Sequence, residues 1–385
     1  MNGNTFTPLG VFTGVAAVLS WIVGVTADWV EFIVIGLGLF LALLAALPYL
    51  IGGRKLRLER ELRPERVHVG ETAQSVLTVF NDASTPSAPR IVEDRIGERL
   101  ISVDVPAIGA NAHTTKITDL PTTKRGVLTV GPALLTQADP LGMARVDRGQ
   151  TGESLLWVRP RVTSLKSARA GFAKDLEGPT FDNSPAGDVA FHTIREYQRG
   201  DDVRHIHWMS TARTGNLMVR HFVDNRRPYL AVIVDDRDDA ASPEAFETLL
   251  EIAASQLVAA ELDGRPVSLW VGEQEVMTNR TPADLDSGLD RFCESTQVSG
   301  TTSDLLSTFE RASVVDPGIS TTLLLTGPAD PRELLPVVQR ARRHGTVIVA
   351  RVVGPGDERV AIPHARVIDV ESLEGFATFW GAVVA

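Results

Sequence analysis

A chain of 385 residues, 44 % of them hydrophobic, has enough apolar material for more than one domain, and its net charge of -10 argues against the broad basic face that general nucleic-acid binding needs. Its single cysteine, Cys293, excludes a disulfide within the chain and suits a reducing compartment. Cys293 falls in an amphipathic stretch, which reads it as core rather than nucleophile.

Two apolar runs come first, Leu9 to about Ala27 and Val30 to Ile51. As helices, both are long enough to cross the ~30 Å hydrocarbon core of a bilayer. No Lys or Arg precedes Arg54; then Arg54, Lys55, Arg57, Arg60, Arg63 and Arg66 follow against Glu59, Glu61 and Glu65, while the junction between the runs carries only Asp28 and, at the start of the second run, Glu31. Basic flanks stay in the cytoplasm. The expectation is a two-helix hairpin over residues 1–53 in the plasma (inner) membrane, with both ends and the large remainder of the chain facing the cytosol. The basic cluster reads as a topology signal that also suits anionic lipid heads. A cleavable signal peptide is the competing reading, but the positive leading segment is missing and the second run would remain as a stop-transfer segment. A buried core hairpin is the other, and a leader without Lys or Arg is odd for it.

Residues 54–163 read as strand and turn. Val67-His68-Val69, Ser75 to Phe80, Thr114 to Thr118, Gly126 to Gly131 and Leu155 to Val158 are short strands punctuated by Gly, Pro, Asn and Asp. That rhythm predicts an antiparallel β-sandwich. Ser164 to Gly187 is polar and rich in Gly, Pro, Ser and Ala, the mark of a connector, here drawn over 164–228 with the motif below.

From Tyr229 to the end, over 229–385, strands alternate with amphipathic helices. Tyr229 to Asp235 is an apolar strand ending in acids; Ser242-Pro243 opens a helix whose stripe is Phe246, Leu249, Leu250, Ala253, Leu257, Val258 and Leu262, stopped by Gly264. Strands follow at Val267–Val271, Thr321–Leu325, Thr346–Val352 and Ala365–Val370, with helices from Thr281-Pro282, from Ser303, from Asp330-Pro331 and from Ser372. Such alternation predicts an α/β domain built on a Rossmann-type parallel sheet covered on both faces.

Between these parts lies a dense charged motif: Arg195-Glu196-Tyr197, then Gly200-Asp201-Asp202, then Arg204-His205-Ile206-His207-Trp208, then Arg213. Gly200-Asp201 reads as a turn. An extended Arg204–Trp208 puts His205 and His207 on one face. Two such histidines are half a zinc site, but no third ligand has convincing spacing. An Asp with a His suits acid–base work, yet no activated Ser or Cys is signalled. Guanidinium forks bind carboxylates bidentately and lock loops, so a structural latch is the plainest reading. A partner-facing surface is the next, since Arg and Trp are typical anchors.

Arg-Glu-Tyr, Gly-Asp-Asp, Arg-x-Ile-His-Trp and Ala212-Arg213 resemble the signature of the family called domain of unknown function 58. Thr123 to Pro132 resembles the same family's upstream strand. So does Ala138-Asp139-Pro140-Leu141-Gly142-Met143, with Leu141 where the usual pattern has Phe. The resemblance implies a bacterial membrane protein that works beside a MoxR-type AAA+ ATPase, in some cases with a transglutaminase-like membrane protein. It implies no assigned reaction, and therefore a non-enzymatic adaptor with no cofactor, no nucleic acid and no small-molecule substrate. The C-terminal part resembles a von Willebrand factor A domain, whose cation site follows Asp-x-Ser-x-Ser. Here the stretch is Asp235-Asp236-Arg237-Asp238-Asp239, and Thr326-Gly327 stands where a further Asp is usual. A guanidinium in that shell repels magnesium, which wants near-octahedral oxygen ligation. The expectation is a degenerate site of Asp235, Asp239 and Thr326, with Arg237 in the cation's place and paired with Asp235 or Asp239. The alternatives are a metal-dependent protein-binding module and a hydrolase using Asp201, His205 and His207.

Overall fold

The computed structural model describes residues 4–51, 56–165, 189–198, 201, 203–224, 229–278, 285–299 and 304–384. They form two compact units, residues 1–161 and 162–385.

The first unit begins with strand β1 (Asn4–Phe6) and helices α1 (Pro8–Thr26) and α2 (Val30–Ile51). Both helices are long and apolar enough to cross a membrane. Thr7 caps α1, Pro8 fits its first turn, and Asp28 turns the chain at a φ of 56°. The helices pair through glycines. A Cβ on Gly36 would stand 3.0 Å from the Ala17 carbonyl, and one on Gly24 would stand 2.8 Å from the Ile33 nitrogen. Small residues let two helix backbones approach without any help from water. The outer faces stay uncovered, with Val15, Val18, Leu19, Phe40 and Leu41 all exposed.

A β-sandwich follows. Strands β2 (Leu56–Arg63), β4 (Gln74–Asn81) and β7 (Ala112–Asp119) make an antiparallel sheet of three. The larger sheet runs β1, β9 (Ala144–Gln150), β8 (Gly126–Ala138), β10 (Ser154–Arg159), β3 (Arg66–His68), with β5 (Arg90–Ile96) also on β8 and β6 (Arg99–Val105) on β5. All its pairs are antiparallel except β10 with β3. Alternation selects the inner faces: Leu58, Leu77 and Val79 from one sheet meet Val92, Ala133 and Leu135 from the other.

One member of the basic cluster, Arg60, corrects the sequence reading. Arg54 and Lys55 lie outside the described residues. Arg57 stacks on Phe80 at 4.3 Å and pairs with Glu59, and Arg63 pairs with Glu61 at 2.6 Å. Arg60 points into the sandwich, where it forms a buried pair with Asp94. Strand β2 alternates Leu with charge, so its inward positions are Leu56, Leu58, Arg60 and Leu62. Arg60 is thereby spent on the core rather than on lipid heads.

The second unit opens with Val162–Leu165, where the Thr163 N–H donates to Ser255 Oγ at 3.0 Å and Leu165 is buried. Residues 166–188, the bulk of the expected connector, lie outside the described residues. Beyond them the same stretch holds a two-stranded ribbon, β11 (Val189–Glu196) with β12 (Met218–Asp224). The main sheet has the order β15-β14-β13-β16-β17-β18, from β13 (Tyr229–Val234), β14 (Val267–Val271), β15 (Gln274–Thr278), β16 (Ile319–Thr326), β17 (Thr346–Val352) and β18 (Arg366–Val370). Only β15 runs antiparallel. Helices α4 (Pro243–Leu262), α5 (Leu285–Phe292) and α8 (Leu373–Val384) bury Leu249, Leu257, Phe292, Phe376 and Trp380 on one face. Helices α6 (Leu305–Val315) and α7 (Pro331–Ala341) bury Phe309, Leu334 and Val338 on the other. Side chains that Ser242, Asp304 and Asp330 present cap α4, α6 and α7, each worth about 1 kcal/mol. The helix expected from Thr281-Pro282 is described only from Leu285, and Ser303 is likewise outside. Cys293 is buried.

Candidate functional site

Strand order reverses between β13 and β16, and in open α/β sheets ligands bind outside the carboxyl ends of strands at such a switch point. Asp235 leaves the end of β13 there, and Thr326 ends β16. The two are joined by the Thr326 hydroxyl, which donates to Asp235 Oδ2 at 2.9 Å. Arg237 turns back over them. Its Nε donates to Asp235 Oδ1 at 2.9 Å and its Nη2 to Oδ2 at 3.0 Å, a bidentate fork. Its Nη1 reaches Glu333 Oε2 on α7 at 2.8 Å. The Arg237 backbone N–H adds a weaker contact to Asp235 Oδ1 at 3.3 Å. The Asp235 side chain is 0 % exposed and that of Arg237 11 %. The hydrogen bond to Asp235 holds the guanidinium above its already high ordinary pKa, against the opposing effect of burial.

The loop carrying Arg237 is pinned at both sides. Asp238 N–H donates to the Val298 carbonyl at 2.9 Å, and Val298 N–H to that of Asp236 at 2.8 Å. Gly327 must be glycine, because a Cβ there would lie 2.2 Å from the Ala240 carbonyl. Asp239 is exposed on this loop. The pair expected for Arg237 therefore forms with Asp235, and its second acid is Glu333. Sequence reasoning missed Glu333, which comes from a helix ninety-six residues downstream. The donor set does not fit a divalent cation: the guanidinium engages both carboxylate oxygens of Asp235. Among the described residues no three His, Cys, Asp or Glu gather to hold a metal.

The charged motif forms a second fork. Arg195, on β11, donates through Nη1 and Nη2 to Asp201 Oδ2 and Oδ1 at 2.8 and 2.7 Å. That contact raises the pKa of the guanidinium. Asp201 also accepts from the Gln198 N–H at 2.8 Å, and its own N–H donates to the Gln198 carbonyl at 3.0 Å. Gly200 and Asp202 lie outside the described residues, as does the side chain of Arg204. Glu196 accepts from Asn216 Nδ2 at 3.1 Å, and Tyr197 N–H donates to the Leu217 carbonyl at 2.8 Å.

Residues 204–208 are not extended, contrary to the sequence reading. Val203–His205 is a 3-10 turn, and helix α3 (Trp208–Thr214) begins three residues later. His207 caps α3, its Nδ1 accepting the Ser210 N–H at 3.3 Å and lying 2.8 Å from Ser210 Oγ. His205 is exposed. Capping chemistry outcompetes a lone strand here, because a strand needs a partner along its length and this segment has only the bridge from Ile206 to Val219. Thr211 Oγ1 accepts the Met218 N–H at 3.0 Å, so α3 is tied to β12. On this fixed base Trp208 and Met209 stand 68 % and 67 % exposed, with Val203 and Leu217 also exposed. Arg213 is exposed on the last turn.

Residues 193–377 match the family model described as protein of unknown function DUF58. The chain carries a DUF58 domain. The match runs from Thr193 on β11 to Ala377 on α8, so the DUF58 domain takes in the ribbon, α3 and the α/β sheet together. No curated protein matches the chain. Among solved structures, an alkylpurine DNA glycosylase from Pseudomonas fluorescens overlaps at 15 % identity, 28 % of this chain, 31 % of that one and a TM-score of 0.20. A CARDB domain from Pyrococcus furiosus overlaps at 13 % identity, 27 % of this chain, 85 % of that one and a TM-score of 0.20. A β-galacturonidase from Eisenbergiella tayi overlaps at 11 % identity, 77 % of this chain, 46 % of that one and a TM-score of 0.20. At such TM-scores these are partial overlaps and not a shared fold.

Proposed function

We propose that this protein is a membrane-anchored, non-enzymatic adaptor that presents its DUF58 domain at the cytoplasmic face of the inner membrane. Its two-helix hairpin is the anchor. The ridge of Trp208 and Met209 is the docking surface, and the partner is an AAA+ ATPase of the MoxR type, with a transglutaminase-like membrane protein as a second candidate.

One observation carries this reading. Large apolar side chains are exposed on a short helix that its His207 cap and its Thr211 tie hold to the ribbon. Aromatic and methionine side chains on a preorganised base are what interface centres are made of, since little conformational entropy is lost when a partner covers them. Capping by His207, the tie from Thr211 and the Arg195–Asp201 fork supply that base. The choice of partner rests on the resemblance of the motif to a family that works beside such ATPases.

The test is a mild-detergent pull-down of the full-length protein from its own membranes, with mass spectrometry, beside Trp208→Ala. The ATPase is expected with the wild type and severalfold less with the variant, whose exposed site leaves folding intact. No ATPase with the wild type would overturn the adaptor reading. Equal recovery with both would move the docking surface away from α3.

A further inference from the structure

The β8–β9 turn, Asp139-Pro140-Leu141-Gly142-Met143, is built into the start of the helical hairpin. Strand β1 pairs antiparallel with β9, Asn4 opposite Val146 and Phe6 opposite Ala144. The Thr7 N–H then donates to the Met143 carbonyl at 3.0 Å, and the Thr7 hydroxyl to that of Gly142 at 2.6 Å. Gly10, inside α1, lies so close that a Cβ would stand 2.1 Å from the Met143 oxygen. From the other helix Ala42, Leu43 and Ala46 pack on Met143 and Ala144.

These contacts set a depth. At 1.5 Å per residue α1 is roughly 28 Å long, about the thickness of the hydrocarbon core. Met143 touches α1 at Gly10, roughly 3 Å inside its first residue, and touches α2 at Ala42, roughly 14 Å before its end at Ile51. The turn thus overlaps the helices lengthwise instead of standing above them. Its tip is rigid: buried Asp139 accepts the Leu141 N–H at 3.0 Å and the Ala144 N–H at 2.6 Å, and Gly142 takes a φ of +68°. Leu141 is 55 % exposed at that tip, and Phe6 is exposed on the adjoining strand.

We propose that this turn is a lipid-contact site, with Leu141 and Phe6 inserted at the boundary between the headgroups and the acyl chains. This rests on reading the hairpin as membrane-spanning. The occupant follows from continuity: the exposed apolar side chains adjoin a helical surface that is itself apolar and uncovered. Large apolar side chains beside the end of a spanning helix gain by leaving water for the acyl chains. The sandwich is then fixed against the bilayer at a third point besides its two helices, and the membrane sets its pose.

The test is nitroxide labelling of Leu141→Cys in the full chain reconstituted in lipid nanodiscs, with accessibility read against oxygen and against a water-soluble nickel chelate. Ile117→Cys, exposed on β7, is the aqueous control, and Val15→Cys, exposed on α1, is the lipid control. Buried Cys293 makes the wild type the unlabelled blank. The expected result is an oxygen-to-nickel accessibility ratio at Leu141 severalfold above that at Ile117 and approaching that at Val15. A lipid-like Val15 with Leu141 equal to Ile117 would overturn the lipid contact and leave the anchor standing. Aqueous values at Val15 and Leu141 alike would overturn both.

Discussion

Arg237 with Asp235 and Arg195 with Asp201 are the same chemical pair in two settings. Both are bidentate forks with nearly equal distances. The first closes a switch point with its carboxylate 0 % exposed; in the second the side chains are 37 % and 19 % exposed. Geometry alone would rank them together. Burial separates them, because a charge removed from water depends on its partner, whereas an exposed charge exchanges its partner for solvent at little loss. The switch-point fork is therefore part of what holds the sheet edge closed, and the ribbon fork sets the local shape of a loop.

The largest effect that separates the two forks is expected from Asp235→Ala. It leaves the guanidinium without its main partner and Thr326 without its acceptor, and is expected to destabilise the protein by about 3–5 kcal/mol in denaturant unfolding of the detergent-solubilised full chain. A loss below about 1 kcal/mol would place the two forks in one class. Next comes Arg237→Ser, which strips the built-in cation from a buried carboxylate and adds a hydroxyl. The variant is expected to unfold earlier than the wild type and to recover part of that loss in millimolar magnesium, while the wild type does not respond. Recovery follows from mass action, since a ligand that binds only the folded state stabilises it. A wild type stabilised equally by magnesium would mean that Arg237 is not the cation's substitute. The smallest effect is expected from Asp201→Asn. Its unfolding midpoint should match the wild type, with faster hydrogen exchange confined to the amides of Gln198 and Asp201. A shift of the global midpoint would show the ribbon fork to be as structural as the other.

Much of this could be read from the sequence because its signals were periodic. Helix α4 carries its stripe, its Ser242 cap and its Gly264 stop in one continuous segment. Strand β13 is an unbroken apolar run, and β16 carries Leu323, Leu324 and Leu325 in a row. Strand β5 was hidden because its inward positions include Arg90 and Asp94, so the alternation looks polar throughout. Strand β2 was read as a basic flank for the same reason. The pairing of Arg237 with Asp235 was legible two residues apart. Its completion by Glu333 was not, since only the fold brings α7 to the end of β13. The 3-10 turn and cap at Val203–His207 were missed because capping by an imidazole leaves no pattern in spacing.

Strand β1 also sets a sequence of events during synthesis. Its partner Ala144–Val146 emerges from the ribosome long after Asn4–Phe6. At about 5–20 residues per second the wait is roughly 7–28 s. Throughout that time α1 and α2 are complete while the first strand has nothing to pair with. A leading segment left on the opposite side of a membrane from the sandwich could never meet β9. The closed ladder between β1 and β9 thus requires the leading strand and the sandwich to share one side, and the last stitch of the hairpin is made by the sandwich.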